Sequence, residues 1–555
     1  MGPADTASRA RLLRLAVPVV VSVLWCLTLL APASLKPLVA NIAGVGGGAV
    51  LLAVVAGYRR SIGLWPGRVT ALLAIGGGAL LAGALAHPHP LISVAGAVGQ
   101  HNGWMLWLAI MLWFVAGAAM GRGTALRWTM WSLAAAGTVS ALFAMLDVAG
   151  VAGAVRYSAE AAGIMESSIS LGQLLLIGSG CAGALFCTET RASMKWTAAA
   201  FALLQTVALV LSGARAAVVL GMAATVLAVV WTRRPGDERR AGVLRWAVRL
   251  GVAALVVGVV AVAWTGAPDR AAIQRVLTDR PAIWHSAFVR MPDSLLLGAG
   301  PDRFSAVVNW SAAEGDLEWQ TTASPHNLLF DWVLGGGIVA LAAYATAFVA
   351  TGALIGRAVA HAARGPKLLA LLLGAWALSL LTSWTDPLAA CAAAVLAGAL
   401  SSDAAGRPLR SRPYEALLGW AAVALAMTTC VLLWPLIGTE ARWASDVGGE
   451  PAPLAELIAR WEQWPDPAFG GQALQAAIEG LPATATEAGA LAGQVLERTP
   501  WDANGALRSL QASLLLRSSV PPVDVPAPEE AIAVGRRAAP ASEIWDWSER
   551  VLLGR

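Results

Sequence analysis

The sequence predicts an all-α, polytopic membrane protein. Of its 555 residues, 57% are hydrophobic and only 13% are charged, and the mean hydropathy is +0.64. A soluble globular chain carries about 25% charged residues. Apolar blocks long enough to cross a bilayer recur along the chain, with basic segments between many of them. These observations predict about thirteen transmembrane helices.

The first predicted helix is a retained span rather than a cleaved signal peptide. Its apolar run is longer than a usual signal-peptide core, and no small-residue cleavage site follows closely. The predicted spans, in chain order, are 12–34, 37–57, 69–86, 104–120, 128–150, 168–187, 196–213, 215–232, 247–265, 327–355, 368–385, 387–404 and 416–437.

The distribution of basic residues predicts that the N-terminus is cytoplasmic. With that orientation the inside loops hold 22 Lys and Arg residues, against 8 in the outside loops before residue 438. Every inside loop is then basic, so the positive-inside rule is met at each crossing. An odd number of spans then places the C-terminus outside.

Two outside regions are long, and they divide the chain. Spans one to nine fill 1–265, an outer loop follows in 266–326, spans ten to thirteen fill 327–437, and a tail occupies 438–555. In the tail, apolar residues three and four apart predict helices. One piece, "TEAGALAGQVLERTPWDANGALRSLQASLLL", resembles a tetratricopeptide hairpin. Because such an array needs at least about three copies, a small helical domain is favoured.

Composition excludes several kinds of site. The arginines are scattered between apolar blocks, which does not suggest nucleic-acid binding. The five cysteines lie inside apolar segments without metal-ligand spacing. The acidic run of Glu314, Asp316 and Glu318 lacks a calcium-loop spacing and is interpreted as a solvated loop. We therefore expect no metal and no cofactor.

Polar residues at the predicted outer face are the candidates for function, because charges near the membrane interior are costly. In "LVLSGARAAVVLGM", Arg215 begins the eighth span directly after a Ser212-Gly213 turn. An outer arginine opposes the usual charge bias, so an anionic ligand is one explanation and a snorkelling helix anchor is the other.

The outer loop supplies more cations. Arg280 and Trp284 lie four residues apart and would share a helix face. Arg290 and Arg303 could extend a cationic wall with Arg280, although each taken singly is interpreted as a solvated charge.

The stretch "SPHN" stands where the outer loop turns into the tenth span. Ser324 is predicted to cap the helix, Pro325 suits its first turn, and His326 and Asn327 follow. The positive end of the helix dipole suits an anion and keeps a histidine neutral, able to accept a proton. A second His-Asn pair, in "GQHNGW" (99–104), has no such helix-start context, so position singles out His326.

Three blocks in this order resemble the O-antigen ligase and Wzy-type polymerase superfamily. "LSGARAA" is similar to its Ser-Gly-Ser-Arg block. "RPAIWHSAFVRMPDSLLLGAGPDRF" is similar to its Arg-x3-Trp and Pro-Leu-x-Gly-x-Gly-Pro-x-x-Phe pattern. "HNLLFDWVLGGGIVA" is similar to its His-Asn-x9-Gly-x-x-Gly. Ala214 and Ala340 depart from the family's serine and glycine, and the stretch at 157–173 lacks a Pro-Asn common in relatives, which leaves donor contacts there in doubt.

The resemblance implies a GT-C-like glycosyltransferase in the bacterial inner membrane, with a periplasmic outer loop and tail. Its donor would be a glycan on undecaprenyl pyrophosphate, and its acceptor a lipid, glycan or protein hydroxyl. It implies His326, Arg215 and Arg280 as catalytic residues, the arginines binding pyrophosphate and the histidine serving the hydroxyl. Asn327, Trp284, Arg303 and Ser212 would bind substrate, with membrane lipids as the surroundings.

Two other functions stay open at the level of the sequence. A transporter or flippase of lipid-linked substrates would place polar residues at mid-membrane and show internal repeats, and Asp331 and Asp386 are the acidic candidates. A non-catalytic assembly protein would use the tail as its contact surface. Within the enzyme class, ligase, polymerase and protein O-oligosaccharyltransferase are not separated, although the tail slightly favours a polymerase.

Overall fold

The computed structural model describes the greater part of the chain and confirms a helical membrane protein. The described residues are 19–23, 27–28, 36–57, 67–86, 90–96, 102–121, 123–149, 167–232, 280–291, 295–302, 310–311, 319–320, 324–360, 362–383, 385–402, 424–431, 433, 436, 453–463, 467–481, 483–499, 503–517, 523–538, 545–546 and 548–550.

Helices dominate this part of the chain. Before the outer loop they are α1 Lys36–Gly57, α2 Gly67–Ala86, α3 Pro90–Ala95, α4 Trp104–Met120, α5 Thr124–Val148, α6 Ser168–Thr188, α7 Ala192–Leu211 and α8 Arg215–Thr232. In the loop and after it they are α9 Arg280–Arg290, α10 Leu328–Ala360, α11 Arg364–Ser379 and α12 Pro387–Ser402. A two-residue antiparallel pair, β1 Trp310–Ser311 and β2 Trp319–Gln320, lies in the loop between α9 and α10.

The predicted spans correspond to these helices with shifted ends. Five of the described helices, α2, α5, α6, α7 and α10, are both long and apolar enough to cross a bilayer, and α1, α4, α8 and α12 contain shorter apolar helices. The fifth span begins at residue 124 rather than 128. The ninth predicted span, 247–265, and most of the first lie outside the described residues.

The core of the bundle forms around α4 and α6. α4 is apolar on every side and largely buried, which is expected for a central helix rather than a lipid-facing one. It packs against α12 where Gly117 and Gly398 bring the two backbones together, a close approach that a side chain would block. α6 lies among α5, α7 and α11, and α10 packs along α2.

An ion pair marks one end of the bundle. Arg127, in the first turn of α5, donates to both carboxylate oxygens of Glu189 at 2.6 and 2.7 Å, and Trp131 donates to the same carboxylate at 3.0 Å. Glu189 follows the end of α6 and its side chain is only 3% exposed. The hydrogen bond from Arg127 lowers the pKa of Glu189, so the buried carboxylate stays charged.

The tail is helical, as predicted. It contains α13 Leu454–Gln463, α14 Pro467–Glu479, α15 Ala485–Arg498, α16 Ala503–Leu516 and α17 Pro528–Ala538. Each helix packs against the next, and α14 also contacts α16. The hairpin predicted around "TPWDANG" is the α15–α16 pair. The tail therefore stacks successive helices, although its side of the membrane stays a prediction.

Candidate functional site

α10 is broken near its middle, and a loop fills the break. Gly336 and Gly337 have non-helical backbone angles within this helix. The loop formed by residues 295–302 replaces the missing helical hydrogen bonds. Ala299 N–H donates to Leu334 O at 2.6 Å and Gly300 N–H to Gly335 O at 3.1 Å. On the far side of the break, Ile338 N–H donates to Leu295 O at 2.8 Å.

Glycines make this contact possible. Gly298 and Gly337 both have positive φ, 72° and 70°, which side-chain-bearing residues rarely adopt. A side chain on Gly298 would strike the backbone of Gly335, and one on Gly337 would strike the carbonyl group of Leu296. The Gly-x-Gly motif of the loop and the glycines after His-Asn therefore form one structural unit. Sequence spacing alone did not predict that they touch.

His326 lies in a strained turn immediately before α10. Its φ of +51° is left-handed, which is uncommon for a residue with a side chain. Its backbone N–H donates to Ser324 Oγ at 3.1 Å. One residue earlier, the carbonyl oxygen of Pro325 accepts a hydrogen bond from the indole N–H of Trp284 at 3.0 Å. The turn is therefore held by its own serine and by α9.

Asn327, rather than Ser324, caps α10. The Asn327 side-chain oxygen accepts from Leu329 N–H at 2.9 Å, so the predicted Ser324 cap is wrong by three residues. The Asn327 amide nitrogen donates to Leu381 O at 2.8 Å, and Leu328 N–H donates to Leu380 O at 2.9 Å. The buried Asn327 side chain forms hydrogen bonds through both its oxygen and its nitrogen, and it therefore connects α10 to the turn after α11. Its predicted contact with substrate stays untested.

Arg280 and His326 are brought together. Arg280 begins α9, and its charge acts on the imidazole of His326. Burial is the larger cause and the arginine the second, and together they lower the pKa of His326 to about 4. The imidazole is therefore neutral at neutral pH. This is the protonation state that the sequence argument required, although the helix dipole was the reason given there.

Arg215 and Ser212 lie in the tight turn between α7 and α8, as predicted. Gly213 has φ +69°, Ser212 Oγ accepts from Ala214 N–H at 3.3 Å, and Arg215 is exposed at the first position of α8. Ser212 itself is fully buried, and its hydroxyl donates to Leu209 O at 2.8 Å. Its predicted contact with substrate stays a prediction.

A series of contacts joins the Arg215 turn to the His326 turn. Ala214 packs against Gly172 near the start of α6. The neighbouring Gln173 side chain donates to Ser383 Oγ at 3.4 Å and accepts from Asp386 N–H at 3.2 Å. Ser383 closes the turn whose Leu381 carbonyl binds Asn327. Arg215 and His326 therefore lie at the same end of the bundle.

The predicted substrate contacts of Trp284 and Arg303 have different outcomes. The Trp284 side chain is 1% exposed and its indole is bound to Pro325 O, so in this structure it supports the turn and has no free face for a sugar. Arg303 lies outside the described residues, as does the acidic run from Glu314 to Glu318.

Two carboxylates beside the turn were not selected from the sequence as site residues. Asp302 ends the loop and accepts from Asn102 N–H at 3.0 Å. Asp331, in the first turn of α10, interacts with both Asp302 and the hydroxyl group of Ser324. The interpretation of "GQHNGW" was also wrong, because Asn102 lies two residues before the start of α4 and contacts this loop. The sequence signals were that Asp302 follows the Gly-x-Gly-Pro turn and that Asp331 is an acidic residue in a predicted span, which was considered only for a transporter.

Comparison with known families places these features together. The family model described as O-antigen ligase matches residues 198–345, about a quarter of the chain. The matched segment runs from α7 to the part of α10 beyond its break and contains Arg215, Arg280 and His326. No protein with a curated description matches the chain. The resemblance predicted from three sequence blocks is confirmed over the segment that carries them: residues 198–345 of this helical membrane protein match the O-antigen ligase family.

Proposed function

We propose that the protein is a glycosyltransferase of the inner membrane. It transfers or polymerises a glycan from an undecaprenyl-pyrophosphate carrier onto an acceptor hydroxyl at the periplasmic face, with its N-terminus in the cytoplasm and its tail in the periplasm. The O-antigen ligase domain at 198–345 supports a membrane enzyme that processes glycans. The positive-inside pattern of the loops supports the orientation.

One observation carries the proposal: a neutral, half-buried His326 lies beside the guanidinium of Arg280. A glycan transfer from pyrophosphate needs a group that accepts a proton from the attacking hydroxyl and fixed positive charge for the departing phosphate. His326 and Arg280 supply these two properties side by side. A flippase would need no group that accepts a proton from its substrate.

The proposed reaction is a substitution at the anomeric carbon of the donor glycan. The acceptor oxygen forms a bond to the anomeric carbon of the donor glycan. The bond from that carbon to the pyrophosphate oxygen breaks, and its electron pair leaves with undecaprenyl pyrophosphate. The acceptor proton passes to the imidazole of His326, which returns it to solvent after product release. Burial near Arg280 disfavours the imidazolium, so His326 is a weak base that begins the reaction neutral and loses the proton again readily.

The arginines have separate roles in this scheme. Arg280 faces the forming charge next to His326, and the exposed Arg215 binds the pyrophosphate from the start of α8. Arginine rather than a metal ion then carries the phosphate charge. Transfer by purified protein in the presence of EDTA tests this part of the proposal, because a metal-dependent enzyme would lose its activity.

Lipid-linked glycans in a deletion strain test the function and separate its acceptors. Single repeat units accumulating on the lipid carrier indicate a polymerase, which the tail favours, and finished chains accumulating indicate a ligase. Unglycosylated protein with normal surface polysaccharide indicates a protein acceptor. Unchanged glycan pools and surface glycans, together with lipid flux into vesicles by the purified protein, would replace the proposal with a flippase.

Complementation of that strain tests the residues. Arg215→Ala, Arg280→Ala and His326→Ala are each expected to abolish transfer while the protein still inserts, as membrane fractionation would show. Arg357→Ala is the matched control, because Arg357 is an exposed arginine in the last turn of α10, far along the same helix from His326. Normal long-chain glycan in cells carrying His326→Ala would overturn the catalytic assignment.

A further inference from the structure

In the described part of the chain, two residues other than glycine have left-handed backbone angles, and the side chain of Asp331 connects them. These residues are Asp302, with φ +57°, and His326, with φ +51°. Asp302 ends the loop that fills the break in α10, and His326 precedes α10 itself. Asp331 connects them, because its carboxylate interacts with that of Asp302 and accepts a hydrogen bond from Ser324, which binds His326.

Left-handed backbone at His326 costs free energy, of the order of 1–3 kcal/mol. The surroundings must supply this free energy. Three described contacts do so: Ser324 Oγ accepts the His326 N–H, Trp284 binds the preceding carbonyl, and the Asn327 side chain is fixed on both sides. Only the first of these contacts His326 directly, through its backbone N–H.

The direction of the Ser324 hydroxyl decides whether that contact is favourable. A serine hydroxyl has one proton to donate and two lone pairs that accept. The Asp331 carboxyl group forms a side-chain hydrogen bond with the Ser324 hydroxyl, which fixes the direction of that hydroxyl. The Ser324 oxygen is then left to accept the N–H of His326, at 3.1 Å. Without Asp331 the hydroxyl is free to rotate.

We propose that Ser324 and Asp331 are positioning residues for His326. Asp331 orients the Ser324 hydroxyl, and the Ser324 oxygen holds His326 in the left-handed turn that places its imidazole beside Arg280. Neither residue contacts the reacting atoms. The inference rests on the proposed glycosyl transfer for its kinetic meaning, but the geometry of the turn can be measured without that reaction.

The kinetic test uses the full chain in lipid nanodiscs with a fluorescent oligosaccharide on polyprenyl pyrophosphate as donor. Ser324→Ala and Asp331→Leu are each expected to lower kcat about five- to tenfold, the effect of one hydrogen bond, and to leave the KM for the donor within about twofold. Ser324→Thr keeps the hydroxyl and should restore most of kcat. The double variant should be no worse than either single variant, because the two residues act as one unit.

A second measurement follows the turn itself. Diethyl pyrocarbonate modifies neutral imidazoles, and mass spectrometry gives the rate at His326. Ser324→Ala and Asp331→Leu should raise this rate, because the half-buried ring is released from its turn, and Ser324→Thr should not. Ser401→Ala is the matched control: Ser401 is a fully buried serine whose hydroxyl donates to Gly398 O in α12, away from the turn.

The outcomes separate this inference from the proposed function. If the wild-type chain transfers no glycan but the modification rates change as expected, the proposed reaction fails and the positioning geometry stands. If transfer occurs and Ser324→Ala matches Ser401→Ala in kcat and in modification rate, the inference is overturned. Additive losses in the double variant, or a Ser324→Thr variant as poor as Ser324→Ala, would overturn it as well.

Discussion

The side-chain amide of Asn327 donates a hydrogen bond to the carbonyl oxygen of Leu381, 54 residues later in the chain. The same side chain caps α10 through Leu329 N–H. The residue after the candidate base therefore fixes the start of one helix and joins it to the turn that follows another. This contact brings the His326 turn and the 380–383 turn to one place.

Asn327→Ser separates the two tasks of this side chain. Serine is a good helix cap but is too short to reach Leu381, so the variant should keep the cap and lose the connection. Asn327→Ala loses both the cap and the connection, so its free energy of unfolding should be about 1 kcal/mol lower than that of Asn327→Ser. We expect both variants to reduce glycan transfer in complemented cells. Transfer at the wild-type level by Asn327→Ser would show that the connection to Leu381 is dispensable.

The lowered pKa of His326 predicts how stability depends on pH. The unfolded chain binds a proton at this histidine near pH 6.5, whereas the folded protein does so only near pH 4. Between these values the unfolded state binds more protons, so stability falls as the pH falls through this window, by of the order of 1–3 kcal/mol.

Thermal unfolding in detergent from pH 7 to pH 4 measures this effect. His326→Gln removes the titrating group, so its melting temperature should fall less steeply than that of the wild type. Arg280→Gln removes one cause of the lowered pKa, so its loss of stability should begin at the same pH, end at a higher pH than in the wild type and be smaller. Parallel curves for wild type and His326→Gln would contradict the assignment.

Gly337→Ala should disrupt the break in α10. The left-handed backbone and the carbonyl of Leu296 both exclude a side chain there, so we expect a loss of about 1–3 kcal/mol and a lower yield of folded protein. Gly356→Ala lies on the same helix in open space and should be neutral or stabilising by up to about 1 kcal/mol. Size-exclusion profiles and melting temperatures compare the two. Equal behaviour would mean that the loop does not constrain Gly337.

Trp284→Phe tests whether this residue supports the turn or stacks on a sugar. The ring remains but its N–H to Pro325 O is lost, which costs about 1 kcal/mol. With a buried ring we expect a lower kcat and an unchanged KM for the donor. A large rise in the donor KM with kcat preserved would instead favour the stacking role implied by the family resemblance.

The sequence predicted the helices well and the contacts between them poorly. Apolar length and basic loops located most of the described helices within a few residues, because each span must satisfy its own backbone hydrogen bonds in lipid. Arg280, Arg215 and His326 were selected as candidates because polar residues at helix starts stand out against apolar neighbours. The prediction that these residues lie at the same end of the bundle followed from the number of predicted spans between them.

Contacts distant in sequence were not predictable in this way. Nothing in the spacing of Gly298 and Gly337 says that their backbones meet, because the contact depends on how the loop returns to α10. Asp302 and Asn102 are 200 residues apart, and their hydrogen bond is a property of the packed bundle. The prediction that Ser324 caps α10 was wrong for a local reason. The left-handed backbone of His326 does not continue into a helix, so α10 begins after it and Asn327 is the cap.

The break in α10 also bears on how the chain enters the membrane. The break lies about nine residues into the helix, or roughly 12 Å from its start, at a depth where unpaired backbone groups are not tolerated against lipid. The groups that pair with it belong to residues 295–302, which leave the ribosome earlier. The first part of α10 can therefore be completed only against a loop that has already been synthesised, so the order of synthesis matches the order in which these two segments must be assembled.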